Sequence, residues 1–353
     1  MSALGIDIGT KNIVLAARQH GKVKFLREVN GYFCYPRPSH FVEAMLSDPN
    51  KTRSDGCKRA ARWLRLSGQQ GIFVVGADAE ELAYAHNDTL LRPMAEGGVA
   101  QEEEALTILS AIVQGLLRTA EKEFGALSDG TKIVYATTAP ALNRPLNLEY
   151  HERVIDLIVG GYHKNFQAQP IRESHALVLK ESKDGTGIGI SWGAGTVTVS
   201  YVLWGTDIYS FSWVGAGDWI DLEVARRHGY DSNNLQRRPR ETPTTVCRRK
   251  EQIDLSKPHA DRLGLDLLLH YRVLVQNVIA GIVRGFIENE DRARVDKPLA
   301  LFMAGGTCIP TGFETLVQDV LRAEHLPFEV DKIVRCTSPL LAVAEGCLLA
   351  AEL

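Results

Sequence analysis

Two short glycine-rich segments hold the residues best suited to chemistry. The first is Gly5-Ile6-Asp7-Ile8-Gly9-Thr10-Lys11-Asn12 and the second is Gly189-Ile190-Ser191-Trp192-Gly193-Ala194-Gly195-Thr196. Their offset is 184 residues (189 − 5), about half of the 353-residue chain. Each runs from an apolar strand through a Gly/Thr turn into a second strand, the pattern of a β-hairpin with a glycine-rich tip. Backbone N–H groups at such a tip can converge on an anion, because no Cβ blocks the approach. Two tips facing one cleft would grip a polyphosphate from both sides, and Asp7 beside the first could hold Mg2+ through water. A third turn, Ala304-Gly305-Gly306-Thr307, follows the apolar run Leu299 to Met303. Neither a Walker A segment nor a G-x-G-x-x-G fingerprint is present. Taken singly, each hairpin has a plainer reading, since short G-x-G-T stretches are common.

The echo of one hairpin in the other predicts two like units facing each other. Helical periodicity covers Glu102 to Glu123, with Ala105, Ile108, Leu109, Ile112, Leu116 and Leu117 on one face. Further helices are expected over Glu149 to Ile158, from Leu222 to His228, over Leu263 to Ile287 and over Pro339 to Glu352. Lys132 to Thr138 and Leu299 to Met303 read as buried strands. Two basic segments look like solvated insertions. Lys51 to Gln70 has Lys51, Arg53, Lys58, Arg59, Arg62 and Arg65 around Trp63, Leu64 and Leu66. Asn233 to Lys250 has Arg237, Arg238, Arg240, Arg248 and Arg249 with two prolines.

The length predicts about two domains. A hydrophobic fraction of 45% with 24% charged residues excludes a disordered, collagen-like or coiled-coil chain. The net charge of −3 gives no field to attract nucleic acid, and none is expected as a partner. Cys34, Cys57, Cys247, Cys308, Cys336 and Cys347 show neither CxxC nor zinc-site spacing, and read as reduced thiols of a cytoplasmic protein. The N-terminus has no basic region leading into a long apolar stretch, so no signal peptide is expected. The longest uncharged run, Gly185 to Thr206, alternates with period two and reads as strands rather than a membrane span.

Ile6-Asp7-Ile8-Gly9-Thr10-Lys11-Asn12 resembles the first phosphate motif of the actin, heat-shock chaperone and sugar-kinase superfamily. Ser191 to Thr196 is similar to its second phosphate motif, and Phe302 to Pro310, with Gly305, Gly306, Thr307 and Ile309, to its adenosine motif. Val75 to Leu82, Leu91 to Met94, Gly97 to Ala100 and the tail Pro339 to Gly346 resemble MreB. The chain is thereby identified as a prokaryotic actin-like protein of the MreB and MamK kind. The resemblance implies an α/β actin-like ATPase fold, with two similar domains around a nucleotide cleft, each with a smaller subdomain. It places the first core at 1–35, 96–185 and 335–353 with a subdomain at 36–95. The second core falls at 186–215 and 271–334 with a subdomain at 216–270.

The same resemblance implies ATP or ADP with Mg2+ as ligands, and roles for single residues. Gly9, Thr10, Lys11 and Asn12 would face Gly193, Ala194, Gly195 and Thr196 across the phosphates. Asp7 would hold the metal. Glu173 would orient the attacking water, although from the residues alone it reads as a helix-start carboxylate complementing the dipole. Gly215, Ala216, Gly217 and Asp218 match a phosphate-contacting turn that opens a helix, and Asp218 alone reads as a helix cap. Lys250 and Glu251 fall where the superfamily places a Lys beside adenine and ribose, and Cys247 stands at the position of a ribose-contacting Glu in the chaperones. Read without that alignment, Lys250 is a solvated charge. Ser191 departs from the pattern, which has Asp there, so weaker metal binding and hydrolysis are expected.

The expected function is an ATP-binding cytoskeletal protein that assembles into filaments with slow Mg-dependent hydrolysis. A non-catalytic nucleotide-binding scaffold is the main alternative, ahead of a chaperone-type ATPase or a small-molecule kinase. Expected partners are other copies of the chain, with an accessory protein or a membrane surface at the basic 51–70 segment.

Overall fold

A computed structural model describes the chain except residues 1, 54–55, 57, 126, 164, 232–240, 290 and 294–296. Cys57, Arg237, Arg238 and Arg240 therefore lie outside the described residues. Alternation of Leu4, Ile6 and Ile8 with Gly5 and Asp7 makes β1 (Ala3–Ile8), which pairs antiparallel with β2 (Asn12–Gln19). β3 (Lys22–Val29) continues the meander. A small sheet follows from β4 (Tyr32–Tyr35), β5 (Trp63–Leu64) and β6 (Ile72–Val75), flanked by α1 (His40–Ser47) and α2 (Ala77–Ala85). A short hairpin, β7 (Met94–Ala95) and β8 (Gly98–Val99), leads into α3 (Glu103–Phe124), β9 (Lys132–Thr137), α4 (Leu148–Tyr162), β10 (Gln167–Arg172) and α5 (Glu173–Glu181).

The second half repeats the plan with β11 (Gly187–Trp192), β12 (Thr196–Leu203) and β13 (Thr206–Val214). Then come α6 (Gly217–Arg227), α7 (Pro243–Glu251), α8 (Arg262–Glu288), β14 (Leu299–Ala304), α9 (Phe313–Ala323), β15 (Val330–Arg335) and α10 (Ala342–Glu352).

The sheet orders are β3-β2-β1-β9-β10 and β13-β12-β11-β14-β15. In both, the first two pairings are antiparallel and the last two parallel. The starts of β1 and β11, of β2 and β12, and of β3 and β13 are each 184 residues apart (187 − 3, 196 − 12, 206 − 22). The echo in the sequence is thus a duplicated sheet.

α5 and α10 fill the layer between the two sheets. α10 lies so close to β1 that a Cβ on Gly5 would sit 2.2 Å from Ala344 O, and α5 so close to β11 that one on Gly189 would sit 2.0 Å from Ser174 O. α3 and α4 cover the other face of the first sheet with Ile108, Ile112, Leu116, Ile155 and Val159. The core on the second sheet is built from Ile220 and Val224 of α6, Leu267, Tyr271, Leu274 and Val278 of α8, and Phe313 of α9. α8 is long and apolar enough to cross a bilayer by length and composition alone, but these side chains place one face in that core.

Three expectations need correction. The 51–70 segment is part of the small sheet, since Trp63 and Leu64 pair with Val74 and Phe73. Its arginines are matched by acids distant in sequence: Arg59 by Asp78 (2.7 Å), Arg65 by Glu43 (2.5 Å), and Arg62 by Glu28. The end of the second basic segment is helical, because Thr242 and Thr245 form a capping box ahead of Pro243 at the first turn of α7. α10 begins at Ala342 rather than Pro339, whose carbonyl instead accepts from Gly305 N.

Candidate nucleotide site

The turn between β1 and β2 (tip 1) closes through Gly9 N to Asn12 O at 3.0 Å, and the turn between β11 and β12 (tip 2) through Gly193 N to Thr196 O at 3.0 Å. Tip 1 is braced by Asn30, fully buried, whose Nδ2 donates to Gly9 O (2.9 Å) and whose backbone N donates to Lys11 O (2.8 Å). Tip 2 is braced by Thr307, whose hydroxyl donates to Gly193 O at 2.7 Å. The start of α6 adds Gly215 N to Gly195 O (3.0 Å), Gly217 N to Gly193 O (3.3 Å) and Asp218 N to Ala194 O (2.8 Å). The helix therefore aims its first turn at tip 2, and its field reaches the cleft through that backbone. The tips almost touch: a Cβ on Gly195 would lie 2.6 Å from Thr10 Oγ1 and 2.6 Å from Gly97 N.

Between and above the tips lies a cleft of about 1170 Å³. Asp7, Gly9, Thr10, Lys11 and Asn12 line it from the first half. Glu173, Ser191, Gly193, Ala194, Gly195, Thr196, Gly215, Gly217, Asp218, Lys250, Glu251, Gly305, Gly306, Thr307 and Ile309 line the rest. Ala216 is fully buried behind the wall.

The floor is acidic. Glu173 is the first residue of α5, where β10 ends. Burial and then the charge of Glu173 hold the Asp7 carboxyl well above its ordinary range. Burial also raises Glu173, opposed by a hydrogen bond from Ser191. Ser191, 4% exposed, thus stands on the Glu173 carboxylate. Among the described residues, no group of three or more His, Cys, Asp and Glu side chains could hold a metal by itself. The close acid pair does fit a divalent cation carried by a phosphate ligand, since a cation would relieve the repulsion that raises Asp7.

The mouth is cationic and bridged. Lys11 Nζ reaches Glu251 at 2.5 Å, Cys247 Sγ at 3.1 Å and Glu80 at 3.9 Å. Burial opposes its charge, yet Cys247, Glu251 and Glu80 hold its pKa above the usual lysine value. Arg92 pairs with Asp218 at 3.2 Å, and Arg248 pairs with Glu81 at 3.3 Å while lying 3.4 Å over the Tyr84 ring. Lys250 is not solvated. It is 6% exposed, and its Nζ donates to Gly217 O (2.6 Å) and to Asp221 (2.8 Å). It holds the start of α6 in place from behind.

Asn30, Arg92 and Asp221 were not expected as site residues. Each acts through a partner remote in sequence, although Arg92 falls in the Leu91 to Met94 stretch that resembles MreB and Asp221 follows the Gly215 to Asp218 turn. Asp221 Oδ1 and Arg92 Nη1 are buried without a hydrogen-bond partner, so both have capacity left for a ligand.

The family model described as Volactin matches residues 1–351. No curated protein matches the chain. Among the solved structures that resemble it, three align over nearly their whole lengths as follows. A MamK double helical filament aligns at TM-score 0.67 and 16% identity, covering 99% of this chain and 98% of that one. A non-polymerising MamK mutant bound to AMPPNP aligns at 0.53 and 16%, covering 99% and 98%. MreB5 of Spiroplasma citri bound to ADP aligns at 0.59 and 14%, covering 98% and 94%. At these identities the likeness is one of fold, and the fold is actin-like.

Proposed function

The chain belongs to the Volactin family, and from that premise we propose that it is a cytoplasmic, actin-like cytoskeletal protein that binds ATP in the cleft and assembles into filaments. One observation carries the reading. Three glycine-rich turns, far apart in sequence, meet in one cleft of about 1170 Å³ with paired carboxylates on its floor and cations at its mouth. Ligand clefts run from roughly 300 to 1,000 Å³, so a nucleotide fits with solvent around it. Support also comes from proteins of the same fold, of which one is bound to AMPPNP, one to ADP, and one forms a double helical filament.

The N–H groups of Thr10, Lys11, Ala194 and Gly195 are not used by the closing bond of either tip, and they would meet the phosphates from two sides. Asp7 would hold Mg2+, and the ion when bound would neutralise phosphate charge. Glu173 positions a water for in-line attack and can accept its proton, because burial raises its proton affinity. Ser191 supports a second reading, a non-catalytic scaffold, since its hydroxyl is engaged by Glu173 and adds no charge beside the metal.

Melting scans test binding. A ligand specific for the native state stabilises it by ~2.7 kcal/mol at a hundredfold excess over Kd, so ATP with Mg2+ should raise the melting temperature clearly. Pelleting and electron microscopy with ATP, ADP and no nucleotide test assembly. Steady-state phosphate release separates the ATPase from the scaffold. A chain that binds no nucleotide, or binds it and stays monomeric at every concentration, sinks the reading.

A further inference from the structure

The turn joining β12 to β13 is built in an unfavourable way. Trp204 and Gly205 both take positive φ, 52° and 77°, as a two-residue hairpin turn of the primed kind. The first position of such a turn favours Asn, Asp or Gly, because an L side chain in the left-handed region crowds its own carbonyl. Here it carries the largest side chain available, and that side chain is 71% exposed. The equivalent turn of the first half, 184 residues earlier (204 − 20), is His20-Gly21 at φ 50° and 75°. The backbone device is duplicated, but only the second copy has an apolar ring.

The backbone that bears the ring is also held still. Trp204 N donates to Thr186 Oγ1 at 3.1 Å and Gly205 N to Gly185 O at 2.8 Å, locking the turn to the preceding loop. Lys297 Nζ lies 5.6 Å from the ring centroid, and Lys297 is itself paired with Asp184. A single exposed apolar residue is ordinary. A tryptophan on a fixed, strained turn suits a binding anchor, since the backbone has no freedom left to lose on contact and the ring has only two side-chain torsions.

The rest of the same domain indicates what meets it. Among the described residues between β11 and β15, the exposed large apolar side chains besides Trp204 are Leu265, Leu269, Ile287 and Ile309. Ile309 lines the cleft. The others lie at the two ends of α8. Leu265 and Leu269 stand at its start, beside the far end of α6, where Asp266 meets Arg227 and His228. Ile287 lies in its last turn, near the base, where the Phe286 and Tyr201 rings are 4.9 Å apart and Trp204 stands three residues beyond Tyr201, just past the end of β12. The 22-residue offset from Leu265 to Ile287 (287 − 265) is a rise of about 33 Å at 1.5 Å per residue. Apolar surface at opposite ends of one rigid body suits a head-to-tail contact that does not close on itself.

We propose that Trp204 is the base-side anchor of the filament contact and seats against Leu265 and Leu269 of the next copy of this chain. The inference rests on the assembly proposed above. The test compares wild type with Trp204→Asn and Leu265→Asp in pelleting assays over protein concentration, with nucleotide-dependent melting as the control for folding. Trp204→Asn should melt higher than wild type, because Asn-Gly suits the turn, and should keep its ATP-dependent shift. Its critical concentration should rise at least about tenfold, the scale of a hot-spot residue. Leu265→Asp should raise it similarly. Wild-type protein that never pellets overturns both this inference and the filament reading. Trp204→Asn that assembles at the wild-type concentration overturns this inference alone. So does equal assembly of both proteins with loss of binding to anionic vesicles in the variant, which would assign the ring to a membrane surface.

Discussion

Tip 1 and tip 2 close through the same 3.0 Å backbone bond, 184 residues apart, from Gly9 to Asn12 and from Gly193 to Thr196. Their side chains diverge completely. Tip 1 has Asp7 before its turn and Lys11 within it, while the matching positions of tip 2 are Ser191 and Gly195. Their bracing differs too. Among the described residues, Asn30 steadies the backbone of tip 1, whereas Thr307 and the start of α6 fix tip 2 from two sides. One tip is a chemical arm and the other a backbone cradle. A phosphate ligand needs N–H groups from both sides, but a second acidic position would place three carboxylates together on a buried floor.

That division is most exposed at Glu173, the acid that faces both tips. Glu173→Ala should abolish steady-state phosphate release, since loss of a positioned acid–base group costs ~10²–10⁴ in rate. ATP binding should persist, because the carboxylate acts on water and not on the nucleotide. Variant turnover equal to wild type would remove Glu173 from the mechanism and leave the floor purely electrostatic.

The cradle is tested through its backbone. An added Cβ would lie 2.7 Å from Thr196 O at Gly193, but 3.0 Å from Asn12 O at Gly9. Tip 2 is also the more firmly pinned, so it has less room to yield. Gly193→Ala should lose most of the nucleotide-dependent melting shift, a fall in affinity of about a hundredfold if ~2.7 kcal/mol is removed. Gly9→Ala should retain part of it. The reverse order would mean that tip 1 supplies the tighter grip.

Much of this division was readable beforehand, and the reasons are local. A strand, a glycine turn and a second strand are fixed by alternation and by residues adjacent in sequence, so both tips, the long α3 and α8, and the 184-residue echo were visible. Charges were misread where their partners are remote. Arg59, Arg62 and Arg65 looked like a basic surface until Asp78, Glu28 and Glu43 met them. Lys250, expected beside the nucleotide by resemblance and a solvated charge from the residues alone, is paired with Asp221, which α6 brings to it. Asn30 braces tip 1 only because the β2–β3 meander returns it there.

A third test moves the acid between tips. In the folded chain both Asp7 and Glu173 bind protons above their ordinary 3.8 and 4.5. The folded state therefore holds more protons than the unfolded one over that window. The stabilising contribution of this pair is complete below about pH 4 and declines as pH rises through the raised values. Asp7→Asn should then melt higher than wild type at pH 7 without ligand, by about 2 °C or more, with the gap narrowing in acid. Ser191→Asp should do the opposite, adding a third buried carboxylate and lowering the ligand-free melting temperature. Added Mg2+ with ATP should recover more stability in that variant than in wild type. Identical pH profiles for Asp7→Asn and wild type would show that neither burial nor the charge of Glu173 raises Asp7.

The smallest expected effect concerns Lys11, the charge that tip 2 lacks. In the absence of ligand its ammonium is held by Glu251 at 2.5 Å and by Cys247, whose thiol burial pushes up to about 11 and so keeps neutral. An arriving phosphate must compete with Glu251 for that cation. The pair is partly exposed, and such pairs contribute up to ~1 kcal/mol, so its removal should change affinity by about two- to fivefold. The two partners should act with opposite signs. Lys11→Met should weaken ATP binding, because the phosphates lose a cation. Glu251→Gln should strengthen it, because Lys11 is released before the ligand arrives, and the gain should shrink as salt screens the pair. Isothermal titration of both variants at low and high salt measures the signs directly. Weaker binding in Glu251→Gln would mean that the carboxylate touches the nucleotide itself, as the resemblance to actin-like proteins implies for this helix, and that Glu251 serves the ligand rather than guarding Lys11.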